Sequence, residues 1–257
     1  MQRSVREIAA IGRRVLLELI RGRRSLVFWV VFPTLMLLLF GLIYGGRGHT
    51  AGSFDRVAPG ILIGAALFFS CLGGPVAVIV GERERCTLRR LLLTPMRPSS
   101  YFLGIALAHA VIAVAQAVIV YGIAAVFGGR FHGSWLLGFA IVLLATVSFV
   151  GMGFFFGARF SDRTEDVNGP VAAFGVPLLV LGGTFFPPEM LPPFLLRLAH
   201  LDPIFHMNQA LKPVSALAAS ASDVAPHLAF LLAFAALSVA LGVKSYGTML
   251  ARERTAN

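Results

Sequence analysis

Charged side chains are scarce in this sequence: Asp, Glu, Lys and Arg supply 13% of its 257 residues, where soluble domains carry roughly 25%. With 57% apolar residues and a mean hydropathy of +0.82, the chain has too little polar surface for a water-exposed domain, and a bilayer is the medium it fits. Acidic residues number 12 against 22 basic ones, and lysine is reduced to Lys212 and Lys244. No basic segment stands free of the apolar runs, so the net charge of +10 points to membrane orientation and not to nucleic acid. Cysteine is nearly missing too. Cys71 in an apolar run and Cys86 in a charged stretch offer neither a metal spacing nor a disulfide framework, and neither is given a role.

Two further absences bear on chemistry. There is no Gly-x-x-x-x-Gly-Lys-Ser/Thr loop, so the chain has no recognisable cradle for ATP phosphates. None of the 12 carboxylates falls inside the long charge-free runs, whereas carriers driven by protons or sodium commonly rely on ionisable groups within the membrane. An energy source outside the chain is the better expectation. A hydrolase built on the outer histidines His200, His206 and His227 lacks a nucleophile elbow or metal spacing, and these read as solvated loop residues.

What the chain does have is a series of apolar runs near the ~20 residues needed to cross the hydrocarbon core. They predict an all-α integral membrane protein, a single transmembrane domain over 1–257, with six spans at about 26–46, 57–80, 101–128, 135–158, 167–186 and 224–243. Residues 1–24 precede them as a basic amphipathic helix, with Ile8, Ile11, Val15, Leu16 and Leu19 at helical spacing and Arg6, Arg13 and Arg14 off that stripe. A signal peptide is the competing reading, but the first charge-free run is longer than an h-region. Six spans put both termini on one side, and the segments on that side hold 17 basic residues against five on the other. The positive-inside rule makes that side cytosolic. Pro170 and Pro177 interrupt the fifth run, and the stretch after it, 185–213, is too broken by prolines and charges to span; short outer or re-entrant helices are expected there.

The most charged stretch between two spans is GERERCTLRRLLLTPMRP, residues 81–98. It holds Glu82, Arg83, Glu84, Arg85 and Arg89, while Leu88, Leu91 and Leu92 form one apolar stripe at i, i+3 and i+4, and Pro95 ends the helix near Thr94. Glu82 lies one turn from Arg85, a pairing too weak in an exposed setting to serve as fold glue, so the charges read as contacts for a partner. Within the third span, His109 and Gln116 share a face. They line a passage or a subunit seam, or else Gln116 hydrogen-bonds a neighbouring helix and His109 reaches water. Gly60-x-x-x-Gly64 and Gly153-x-x-x-Gly157 permit close helix contacts.

The sequence GERERCTLRRLLLTPMRPSSYFLGIALAHAVIAVAQAVIV resembles the signature of the ABC type-2 permease family, the membrane subunits of drug- and polysaccharide-export ABC transporters. The matching features are the acidic-basic segment Glu82 to Arg85, the Leu-rich helix Leu88 to Leu93, Thr94 with Pro95, and Gln116 in the third span. Cys86 stands where that family often has Gly. The outer stretch is similar as well, through Phe186, Pro187, Leu191, Pro192, Asp202, Pro203 and Lys212. The resemblance implies a permease of an ATP-driven exporter, closest in type to daunorubicin-resistance-like drug exporters, in a bacterial inner membrane with both termini cytoplasmic. It implies a cytosolic ABC ATPase that binds ATP and Mg and docks on the helix after the second span, a second permease copy, identical or related, and a lipid environment, with no cofactor held by this chain. The cargo would be an amphipathic drug, lipid or glycan. An ATP-independent secondary carrier and a membrane scaffold or sensor are the rival classes.

Overall fold

The computed structural model describes residues 2–46, 50–85, 87, 98–160, 173 and 175–255, and among them every regular element is helical. Helix α1 (Gln2–Gly22) is followed by α2 (Arg24–Gly45), with Arg23 between them at φ 34°. Helix α3 runs over residues 50–84 in three segments, Thr50–Gly60, a π-helical stretch Ile61–Leu72, and Gly73–Glu84. Next come α4 (Pro98–Val126) and α5 (Trp135–Arg159), the latter capped by the Ser134 hydroxyl accepting from Leu137 N–H. After the helical segment 175–181 there follow a 3₁₀ turn (Pro188–Met190), α6 (Pro193–Ala199), α7 (Pro203–Leu217) and α8 (Ala225–Thr255).

Among the described residues five helices are long and apolar enough to cross a membrane: Arg24–Gly45, Gly52–Glu84, Ser99–Val126, Trp135–Arg159 and Ala225–Ala251. The second begins before the expected residue 57 and carries Asp55, Arg56, Glu82 and Glu84 on its ends, because charges at helix termini escape the hydrocarbon that an apolar count must respect. Most of the expected fifth span lies outside the described residues. Its far end is corrected from 186 to 181, since Gly182 and Gly183, the latter at φ 70°, turn the chain out of the helix. The last helix runs past 243 to Thr255.

Helix α3 forms the centre: its apolar side chains from Ile61 to Phe68 are at most 4% exposed. The glycines of α5 bring that helix close, since an added methyl at Gly153 would lie 2.6 Å from Leu72 O and one at Gly151 would press on Ser238 of α8. By contrast, Val27, Val31, Leu35, Leu39 and Leu42 make a stripe of 47–59% exposure along α2, and Leu103, Leu107, Val111 and Val118 make another along α4. Stripes of this length suit lipid or a second subunit and would be untenable in water. The stripe of α1 is buried instead of resting on lipid: Ile11 and Val15 are 7% and 0% exposed, and Gly104 of α4 leaves room for Ile11.

Candidate functional site

The bundle has two polar ends. At the first, the last turn of α3 meets α1, α4 and α5, and α8 packs on α4 beside it. Glu82 is 8% exposed, and its carboxylate accepts from the Arg14 guanidinium of α1 through Oε1 and from the Tyr101 hydroxyl of α4 through Oε2 at 2.6 Å. Burial works against the charge on Arg14, but Glu82 and Glu18 outweigh it and raise its pKa; Glu18 lies 3.4 Å away. Tyr101 stacks on Tyr246 of α8, with ring centroids 5.0 Å apart and planes 7° from parallel. Arg83 donates to Ala158 O near the end of α5 at 3.4 Å.

Glu82 is therefore not part of an exposed partner surface. Its expected mate Arg85, one turn on, is exposed; the residues that hold it come from 68 positions upstream and 19 downstream. A carboxylate so placed, deprived of Arg14, costs about 3 kcal/mol, the low end for a buried pair because the arginine is one-third exposed. Glu84 and Arg85 are exposed at the helix end. Leu88, Arg89, Leu91, Leu92, Thr94 and Pro95 lie outside the described residues, as does Cys86.

His109 and Gln116 face the interior of this chain, at 0% and 4% exposure. Gln116 donates to Trp29 O of α2 at 3.1 Å and accepts from Ser70 of α3 at 2.8 Å, tying three helices together. The gap beside it holds no room for water. His109 donates from Nδ1 to Ile105 O at 2.9 Å and fits where Gly74 has no side chain. Gln116 thus hydrogen-bonds neighbouring helices, as the alternative reading held, while His109 is buried and does not reach water.

At the opposite end the chain turns between helices. Asp55 of α3 holds the 127–134 connection through Arg130 N–H and the His132 ring at 2.9 Å. Asp202 caps α7 by accepting from Ile204 N–H at 2.9 Å, and burial pushes its carboxyl up to about 7 against that bond. Asn208 fixes the 182–184 turn by donating to Gly182 O at 2.8 Å and to the Thr184 hydroxyl. Gly60 and Gly64 accept that same turn: a methyl at Gly60 would sit 2.5 Å from Thr184 O. Lys212 donates to Gly183 O, and burial lowers its pKa to about 8 while Glu189 opposes the shift. His200, His206 and His227, expected as separate solvated residues, are brought together: His206 and His227 share a hydrogen bond between Nδ1 atoms at 2.9 Å, and His206 Nε2 donates to His200 O. Among the described residues no group of three His, Cys, Asp or Glu side chains is arranged to hold a metal.

An all-helical bundle with five membrane-length helices among its described residues has the build of a multi-pass membrane protein. The chain belongs to the ABC-2 type transporter family, whose model matches residues 6–214. It is 30% identical over 137 residues to the probable multidrug ABC transporter permease YbhR of Escherichia coli K12, a match covering 53% of this chain and 37% of that protein. It is 24% identical over 187 residues to the inner membrane transport permease YadH of the same organism, covering 72% of each. The resemblance read from the 82–116 and 184–212 stretches is borne out at the level of family.

Sequence reasoning missed Arg14, Tyr101, Trp29 and Ser70. Arg14 carried a signal: it sits three residues after Ile11 and one before Val15, at the edge of the buried stripe of α1. Nothing in spacing alone announces a carbonyl partner such as Trp29 O.

Proposed function

We propose that this chain is the membrane-spanning permease subunit of an ATP-driven ABC exporter, moving an amphipathic drug, lipid or glycan outward across a bacterial inner membrane. The observation that carries the reading is the root of α3, where one buried carboxylate joins the end of the central helix to α1 and α4. A force applied just beyond Glu84 acts on four helices at once, as a subunit driven from outside requires. The force comes from a cytosolic ABC ATPase, which binds ATP and Mg. Glu84, Arg85, Leu88, Arg89, Leu91, Leu92, Thr94 and Pro95 form the docking segment. Glu82 and Arg83 are positioning residues that pass the displacement inward. Six spans, cytoplasmic termini and a second permease copy, identical or related, complete the assembly, with the exposed stripes of α2 and α4 shared between lipid and that copy. The basic asymmetry of 17 to five supports the orientation.

The test is co-purification and ATP hydrolysis with the ABC ATPase in lipid vesicles, for wild type and Leu91→Asp. We expect the variant to insert in the membrane, yet to lose either ATPase co-purification or substrate-stimulated hydrolysis. Normal co-purification together with full stimulation would remove the 84–95 segment from the coupling path.

A further inference from the structure

At the end of the bundle away from Glu82, a cavity of about 540 Å³ opens between α2, the start of α3, the 184–187 turn and α7. Its size is that of small-molecule sites, which run to roughly 300–1,000 Å³. Tyr44 and Phe186 form an aromatic wall, Ser53 and Thr184 supply hydroxyls, and Arg56 and Lys212 supply two cationic side chains. Among the described residues no carboxylate lines it. Asp55, beside Arg56 in sequence, is engaged by Arg130 N–H and His132, and Glu189 acts on Lys212 from outside the lining. Among the described residues Arg56 makes no ion pair or hydrogen bond, while Lys212 has only a neutral carbonyl, Gly183 O.

The framework is held before any ligand arrives. The Tyr44 hydroxyl donates to Phe185 O at 3.0 Å, Ser53 donates to Gly41 O at 2.8 Å, and Asn208 fixes Thr184. Phe40 stacks on Phe185 at 5.2 Å and meets Phe186 edge-on at 5.7 Å, so the aromatic wall is continuous with α2. Immediately beside it, Leu39, Leu42 and Ile43 of α2 are 48–60% exposed. Two cations next to low-dielectric surface favour an anion, and an apolar helix face leading away favours a hydrocarbon tail on that anion. We propose that this cavity binds an anionic amphipath, with a phosphate or carboxylate head against Arg56 and Lys212 and an apolar tail along the outer turns of α2. The site rests on the exporter reading for its meaning, as the place where a headgroup is held or released on the far side of the membrane. Binding itself needs no ATPase.

The full chain, purified in dodecyl maltoside, is titrated calorimetrically with dodecyl phosphate, with dodecyl phosphocholine and with inorganic phosphate. Dodecyl phosphate is expected to bind wild type, and Arg56→Gln and Lys212→Met to weaken it about tenfold or more each, with Arg56→Lys restoring most of the affinity. Inorganic phosphate and the zwitterion are expected to bind far more weakly. Repeating the titration in nanodiscs of phosphatidylcholine with or without phosphatidylglycerol assigns the source: competition by phosphatidylglycerol makes the occupant a membrane lipid, and its absence makes it a free amphipath. Equal affinity of wild type and both neutral variants, at matched thermal stability, overturns the site. So does inorganic phosphate binding as tightly as dodecyl phosphate. Either failure would leave the coupling role of the α3 root standing, because that role is read by ATP hydrolysis.

Discussion

The two ends of the bundle handle charge in opposite ways. Around Glu82 the charges are packed against one another: a carboxylate 8% exposed has an arginine on one oxygen and a tyrosine hydroxyl on the other, and Tyr246 closes over Tyr101. Around Lys212 the cations face a cavity with no carboxylate among the described residues of its wall, and the turn beside them is pinned by Asn208 and by glycines that admit it closely. A closed charge network resists rearrangement and moves as a unit, since breaking it exposes an uncompensated buried charge. An open cationic cavity is under-satisfied as it stands and gains from a ligand. One end is thus suited to carrying displacement and the other to holding an anion.

Breaking the closed end has the largest expected effect. Glu82→Ala leaves Arg14 and Tyr101 without their shared acceptor; a destabilisation of about 3 kcal/mol and loss of export are expected, read by thermal unfolding in detergent and by vesicle transport. Arg14→Ala is expected to resemble it, and the double variant to be far less than additive, because both remove the same contact. Unimpaired stability in either would show that the two ends do not differ as described.

The pH response sharpens the comparison at the opposite end. Asp202 holds its proton up to about pH 7 in the folded chain, against an ordinary 3.8. The folded state therefore binds more protons than the unfolded state between those values, so stability falls as pH rises from about 4 to about 7 and levels off above. Asp202→Asn keeps the cap and is expected to flatten that slope, measured as the melting temperature at pH 5 and pH 8. The smallest effect is expected from Gln116→Leu. It removes two hydrogen bonds between helices, costing about 1 kcal/mol, with export per folded molecule retained. Lost export at normal stability would return Gln116 to a transport role.

Much of this was legible in the sequence because the bilayer imposes a one-dimensional rule: apolar runs of sufficient length become spanning helices. The five membrane-length helices, the broken outer stretch with its short helices and the family all follow from runs, prolines and the 81–98 motif. The ends of helices were less legible, since Asp55 and Glu82 are charged yet helical, and an apolar count stops before them. The partners of Glu82 were illegible for a different reason. Local spacing offers Arg85, but burial selected Arg14 and Tyr101, and which residues α1 brings to α3 depends on the fit of Ile11 against Gly104. The cavity at Lys212 joins four separate stretches, and no periodicity in any one of them reports it.

Orientation is checked by single cysteines in a cysteine-free chain, placed at the exposed positions Ser134→Cys, Ser222→Cys and Arg13→Cys. An impermeant thiol reagent on intact cells is expected to label the first two and to reach the third only after permeabilisation; the reverse pattern would invert the assignment of the two ends.

The most direct measurement of the central claim is ATP hydrolysis by the reconstituted permease–ATPase complex, with and without transported substrate, in wild type and Glu82→Gln. The amide keeps the shape of the side chain and removes its charge, so the two subunits are expected to co-purify and basal hydrolysis to persist while the substrate-stimulated part is lost. Full stimulation in Glu82→Gln would contradict the claim that the buried carboxylate at the root of α3 carries displacement into the membrane.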